Sequence, residues 1–188
     1  LWREAFEQLR QERLPMACAA LLAVLALAAI AGPPLLGYRA DEIDWAHMAV
    51  PPLEATGHWL GTDRLGRDVM SRLIWGSRIS LVIGFASVLI GMIAGTALGM
   101  IAGYYRGRVE TMIMRGIDVV MSFPDLILAV AITAALGATL VNLIITIGVV
   151  MIPGFARMAH SAVLSMRERE FVLAAQGLGA RDRRILFK

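Results

Sequence analysis

The chain has 188 residues, 58% of them hydrophobic and 18% charged, with a formal net charge of +3. Soluble domains carry about a quarter charged residues, so an ordinary soluble globular protein is excluded. The single cysteine, Cys18, excludes an intrachain disulfide framework.

Residues 1–15 mix Arg3, Arg10 and Arg13 with glutamates and read as a cytoplasmic N-terminal segment. Met16–Leu36, closed by Pro33-Pro34, is the first of four apolar stretches near the roughly 20 residues that a helix needs to cross a bilayer. No small-residue cleavage site is evident after it, so it reads as a retained anchor and not a signal peptide. Residues 37–78 are then an extracytoplasmic loop, too long for a plain connector. In its second half Val69, Met70, Leu73 and Ile74 fall on one helical face, with Asp68, Ser71 and Arg72 opposite. That pattern predicts a short amphipathic helix at the outer interface, before the second span, with Asp63 or Asp68 as its cap.

The second span, 79–105, places Ser87, Gly91, Gly95, Gly99 and Gly103 at every fourth position. On a helix these make one smooth stripe along which a neighbouring backbone can approach closely, a main source of helix association in lipid. The third and fourth spans are expected at 112–136 and 141–159, and 160–188 follows as a cytoplasmic segment. Arg106, Arg108, Arg115, Arg157, Arg167, Arg169, Arg181, Arg183, Arg184 and Lys188 then lie on the same side as the N-terminus, which satisfies the positive-inside bias. Tyr104-Tyr105 reads as an aromatic belt at the inner interface.

Asp125 is the most informative charge in the apolar region. A carboxylate near the bilayer centre costs roughly 2.5–3.5 kcal/mol and generally faces a bundle interior or a wet cavity. Asp125, with Pro124, is therefore a candidate for lining a pathway. The competing reading is that Pro124 breaks the helix and Asp125 satisfies the amides freed at its restart. Asp118, seven residues earlier, falls on nearly the same helix face. Pro153-Gly154 predicts a kink in the fourth span.

Catalytic and metal chemistry find little support. The only lysine is Lys188, so no GxxxxGK[ST] phosphate loop exists in these residues, and any ATP used is hydrolysed by a partner. His47, His58 and His160 are scattered without an HExxH or a cysteine cluster, and no metal site, catalytic residue or bound cofactor is expected. No nucleic-acid partner is expected either; membrane lipid is. In the tail, "REREFVLAAQ" gives way to Gly177 and Gly179, either of which can supply a left-handed turn. Ala174 and Ala175 leave a shallow surface beside Leu178, and Asp182 favours the start of a second helix.

Leu173-Ala174-Ala175-Gln176-Gly177-Leu178-Gly179 resembles the coupling loop of importer permeases of the ATP-binding-cassette type, EAA followed by three residues and Gly, with Leu173 in place of the Glu. "GTDRLGRDVMSRL" at 61–73, "MRGIDVVMSFPDLILA" at 114–129 and "REFVLAAQGLGA" at 169–180 resemble the C-type subunits of the peptide and nickel branch. The resemblance implies an all-α polytopic membrane helical bundle, the transmembrane domain of a type I importer, truncated after four of six spans inside the coupling loop. It implies residence in the bacterial cytoplasmic membrane. It also implies a second, B-type permease subunit, two ATPase subunits that bind ATP and magnesium, and an extracytoplasmic substrate-binding protein. Leu173, Ala174, Ala175, Gly177, Leu178, Gly179 and Arg181 would contact the ATPase. The function implied is ATP-driven import of di- or oligopeptides by alternating access. The alternatives are a nickel-chelate importer permease, a non-transporting scaffold assembled through the glycine stripe, and, last, a membrane enzyme.

Overall fold

The computed structural model describes residues 13–179, which divide into two compact units at residues 82 and 83. In the first unit, helix α1 (Arg13–Ala31) is apolar all round and leaves Leu21, Leu22, Leu27 and Ile30 exposed. Such a surface is disfavoured in water by about 25 cal/mol per Å² and is at home in lipid. The helix stops where the Gly32 amide donates to the Ala28 carbonyl at 2.9 Å and Pro33 removes the next donor. A 3₁₀ turn at Pro33–Leu35 follows.

Helix α2 (Val69–Tyr105) has 37 residues and is roughly 55 Å long at 1.5 Å per residue. The amphipathic segment expected as a separate interfacial helix is instead its first turns. No proline interrupts Val69–Tyr105, and backbone hydrogen bonding runs unbroken into the span. Asp68 is its cap: Oδ2 accepts the Ser71 amide at 2.7 Å, while Asp63 serves the preceding turn.

Helices α3 (Gly107–Met121), α4 (Asp125–Leu136), α5 (Leu140–Arg167) and α6 (Glu170–Gly177) complete the second unit. The stretch expected as one third span is two helices bent by 90° at Ser122-Phe123-Pro124. Pro124 is the cause, because the residue before a proline is pushed out of the helical region and Pro itself donates nothing. Asp118 and Asp125 therefore lie on different helices and share no face. Helix α5 runs through Pro153 to Arg167, past the expected end at 159, so residues 160–167 are helical and continue the span. Its start is fastened by Thr139, whose side chain accepts the Asn142 amide at 3.2 Å, and by the Asn142 amide group donating to the Leu136 and Gly137 carbonyls. Among the described residues three helices are long and apolar enough to cross a membrane, or four if the bent pair is one span, and no β-strand occurs. The fold is an all-α membrane bundle.

Candidate functional site

The small-residue stripe of α2 faces α5. Ser87 is buried and its Oγ donates to the Ile144 carbonyl at 3.1 Å. A Cβ on Gly91 would lie 2.7 Å from the Cβ of Met151, and one on Gly95 would lie 2.5 Å from the Ile152 carbonyl oxygen. At Gly99 it would run into the Ala156 carbonyl, and at Gly103 it would sit 3.0 Å from the His160 carbonyl. The two backbones touch along four turns, with Gly148 of α5 opposite Ile90. Helix α3 is held on α5 by two pairs, Glu110 Oε1 with His160 Nε2 at 2.8 Å and Asp118 Oδ1 with Arg157 Nη2 at 2.6 Å. His160 is thus a hydrogen-bond partner of Glu110 on a helix seam.

At the end of this seam the chain reverses through Arg106 and Gly107, both with positive φ, and the Arg106 guanidinium meets Glu168 at 2.9 Å. Tyr104 is buried and only Tyr105 is exposed, so the expected aromatic belt is halved. Arg167 stacks over the Tyr104 ring at 5.6 Å and donates to the Tyr104 carbonyl at 2.6 Å. Beside this pair, Met100, Val163, Met166 and Val172 line a largely apolar cavity of about 240 Å³. Val172 thus anchors α6, which carries Leu173, Ala174, Ala175 and Gly177, four of the residues expected to contact an ATPase. Leu178, just beyond, is 89% exposed. The left-handed turn falls at Gly179, with φ +77°, and not at Gly177, which closes the helix. Arg181 and Asp182 lie outside the described residues.

A second cavity, of about 760 Å³, lies between the bent pair and α5 and is lined by Asp125, Leu126, Ile147, Met151, Pro153 and Phe155 among others. Asp125 is the first residue of α4, where its charge suits the helix N-terminus, and no side-chain hydrogen bond caps that helix. The freed amides are therefore not what Asp125 satisfies. Pro124 makes the bend but is not among the lining residues.

The loop before α2 is a folded knot built on "GTDRLGRD". Thr62 and Asp68 form an antiparallel bridge, the Thr62 hydroxyl donates to the His47 carbonyl, and it accepts the Val50 amide at 3.1 Å. Gly61 and Gly66 have φ of +73° and +74°, and a Cβ there would strike the Val50 and Asp44 carbonyls, so only glycine fits. Asp63 accepts the amides of Leu65 and Arg67 and the Arg67 and Arg72 guanidinium groups. Partial desolvation raises the Asp63 carboxyl, but the Arg67 and Leu65 amides and the Arg67 side chain outweigh it and lower its pKa from 3.8 to about 2. A folded-state pKa below the unfolded one contributes stability above about pH 4, which is lost as pH falls through about 2. Hydrogen-exchange protection of the Leu65 and Arg67 amides should accordingly fall between those limits and change little there in Asp63→Asn.

The same knot overturns the expectation that the histidines are scattered. His47 and His58 converge on Asp44: Oδ2 lies 2.9 Å from His47 Nδ1 and 3.3 Å from His58 Nε2. His58 is 1% exposed, stacked on Tyr38 at 4.4 Å, with Nδ1 3.0 Å from Asp68 Oδ1. Burial favours the neutral imidazole, yet the flanking Asp68 and Asp44 carboxylates outweigh it and raise the His58 pKa. Burial likewise raises Asp68, and the bonds from His58 and the Ser71 amide more than reverse that. His47, the Ala46 amide and His58 hold Asp44 at about 2. One signal for this cluster was in the sequence, the Asp44-x-x-His47 spacing that closes a turn; the approach of His58 across the loop had none.

Residues 95–188 match the family described as "Binding-protein-dependent transport system inner membrane component", and residues 1–52 match "N-terminal TM domain of oligopeptide transport permease C". Among curated proteins the chain is similar to the dipeptide transport system permease protein DppC of Alkalihalophilus pseudofirmus, 40% identical over 99% of this chain and 60% of that protein. The glutathione transport system permease protein GsiD of Pectobacterium atrosepticum is 39% identical over 100% of this chain and 62% of its own length. GsiD of Escherichia coli O6:K15:H31 is 36% identical over 100% and 61%. The chain therefore spans about 60% of the length of these curated relatives.

Proposed function

The chain belongs to the inner membrane components of binding-protein-dependent transport systems, and from that membership we propose that it is a permease subunit of an ATP-driven importer of short peptides. Dipeptide and glutathione, named for its relatives, are both short peptides, and that is the substrate class put forward. ATP is hydrolysed on partner chains, a second permease subunit completes the pathway, and an extracytoplasmic binding protein delivers the solute. The arginine distribution supports an arrangement with the N-terminus and α6 on the cytoplasmic side.

The observation that carries this reading is α6 itself. Val172 holds it against the end of the α2–α5 seam, while Leu178 is left 89% exposed. A large apolar side chain presented beyond an anchored helix suits insertion into a partner's groove. A push on α6 would then be passed to α2 and α5, because the two backbones touch along the stripe, and tilting them would alternate access between two states that nucleotide binds unequally. Asp125, in the cavity under the bend, is the residue put forward to meet a cationic group of the solute.

The scaffold alternative loses its basis, since the stripe that would have gathered partner helices is occupied by α5 of the same chain. The direct test is co-expression of the full-length protein with its partner chains. Two ATPase subunits are expected to co-purify with the wild type, and Leu178→Glu is expected to release them by burying an unpaired charge. A complex that never contains an ATPase overturns the reading.

A further inference from the structure

We propose that Asp44, His47 and His58 form a binding site for a borderline divalent transition-metal cation of the zinc type, held by Asp44 Oδ2, His47 Nδ1 and His58 Nε2. Each residue offers one ligand atom that lies within 4.8 Å of those of the other two. In a tetrahedral site with bonds of about 2.0–2.2 Å, ligand atoms sit roughly 3.4 Å apart. The separations from Asp44 Oδ2, 2.9 Å to His47 and 3.3 Å to His58, lie just under that spacing, and the two imidazole nitrogens are within 4.8 Å of each other. Two imidazole nitrogens with one carboxylate oxygen favour a borderline cation over calcium or magnesium, which take oxygen ligands.

The surroundings are those of a metal-ligating histidine. Such a residue donates its second ring N–H to a carboxylate, which fixes tautomer and ring orientation. Here His58 Nδ1 faces Asp68 Oδ1 at 3.0 Å, and Tyr38 stacks on the ring within 25° of parallel. With Nδ1 facing Asp68, Nε2 is the ring nitrogen left to face Asp44, and a cation binding there would take the place of its proton. The other oxygen of Asp44, Oδ1, accepts the Ala46 amide at 2.9 Å, which leaves Oδ2 facing both imidazoles. His58 is buried, whereas the side chains of His47 and Asp44 are 41% and 25% exposed, so a cation reaches the site from the His47 side. Three protein ligands leave a fourth position for water or an incoming donor. Binding would clamp the Asp44–His47 turn to His58, and through Asp68 to the cap of α2.

The metal-free alternative is that Asp44 only hydrogen-bonds the two histidine rings, and a binding experiment separates the two. The full-length protein in lipid nanodiscs, stripped with chelator, is titrated with Zn²⁺, followed by calorimetry and by metal analysis after gel filtration. One equivalent per chain is expected, retained through the column. His47→Ala removes a half-exposed ligand without opening the core and is expected to weaken binding more than tenfold. Asp68→Asn keeps a good helix cap but loses the charged acceptor, and is expected to weaken binding about 10–100-fold. X-ray absorption of the bound zinc should show two imidazoles. No retained zinc in the wild type, or equal affinity in His47→Ala, overturns the proposal. Neither result bears on the importer reading, whose test is ATPase co-purification.

Discussion

Gly95→Leu is expected to drive α2 and α5 apart, while Gly84→Leu on the same helix leaves them together. At Gly95 the first atoms that a new Cβ meets are the Ile152 carbonyl oxygen at 2.5 Å, the Cβ of Phe155 at 2.7 Å and the Ala156 nitrogen at 3.0 Å. Two of the three are backbone, which no rotamer change can move aside. At Gly84 nothing lies within 4 Å. Overpacking a protein interior typically costs about 1–3 kcal/mol, and a backbone obstacle puts Gly95→Leu at or above the top of that range. Lipid supplies no hydrophobic force to press the helices together again, so close packing is most of what holds them. Unfolding in mixed detergent micelles should show a large loss of stability for Gly95→Leu and little for Gly84→Leu. Equal losses would mean that the stripe does not hold the unit together.

Gly179→Val is expected to cut ATP-coupled uptake by the assembled transporter by an order of magnitude or more, with ATP hydrolysis persisting, whereas Gly177→Ala leaves uptake near normal. The two glycines stand two residues apart and look alike in sequence. Gly177 is helical, so alanine there suits the backbone and narrows the unfolded ensemble by about 0.4–1 kcal/mol. Gly179 sits at φ +77° with nothing within 4 Å, so the obstacle is backbone conformation and not a neighbour. A residue with a Cβ is disfavoured there by roughly 1–2 kcal/mol, and a β-branched one is more restricted still. The turn would rearrange and carry Leu178 away from its place beyond α6, while the membrane helices, which do not touch Gly179, stay assembled. Uptake by Gly179→Val equal to the wild type would remove this turn from coupling.

These two comparisons also mark where sequence reading ran out. The stripe Ser87–Gly103 was legible as a packing surface because a four-residue repeat is a property of one helix; its partner was not, because α5 arrives from another part of the chain. A cap was legible only as a choice between Asp63 and Asp68, and the structure selects Asp68. The break at Pro124 was legible as a competing reading, but the 90° turn it produces separates Asp118 from Asp125 and needed the bent helices themselves. The histidines misled, since a separation along the chain says nothing of separation in space once Gly61 and Gly66 fold the loop back on itself.

By itself, then, the sequence determined that this is a membrane-spanning all-α chain with a small-residue seam and a glycine-turned tail. Hydropathy, residue size and periodicity are properties of one segment at a time, and the solvent each segment tolerates follows from them. Only the tertiary structure decided which backbone fills the seam, which of two glycines turns the chain, and that Asp44, His47 and His58 meet. The first and last depend on atoms brought together from distant positions, where excluded volume and hydrogen-bond geometry select among arrangements that the local pattern leaves equal; the choice of glycine is one of backbone conformation, for which two glycines two residues apart are equally suited.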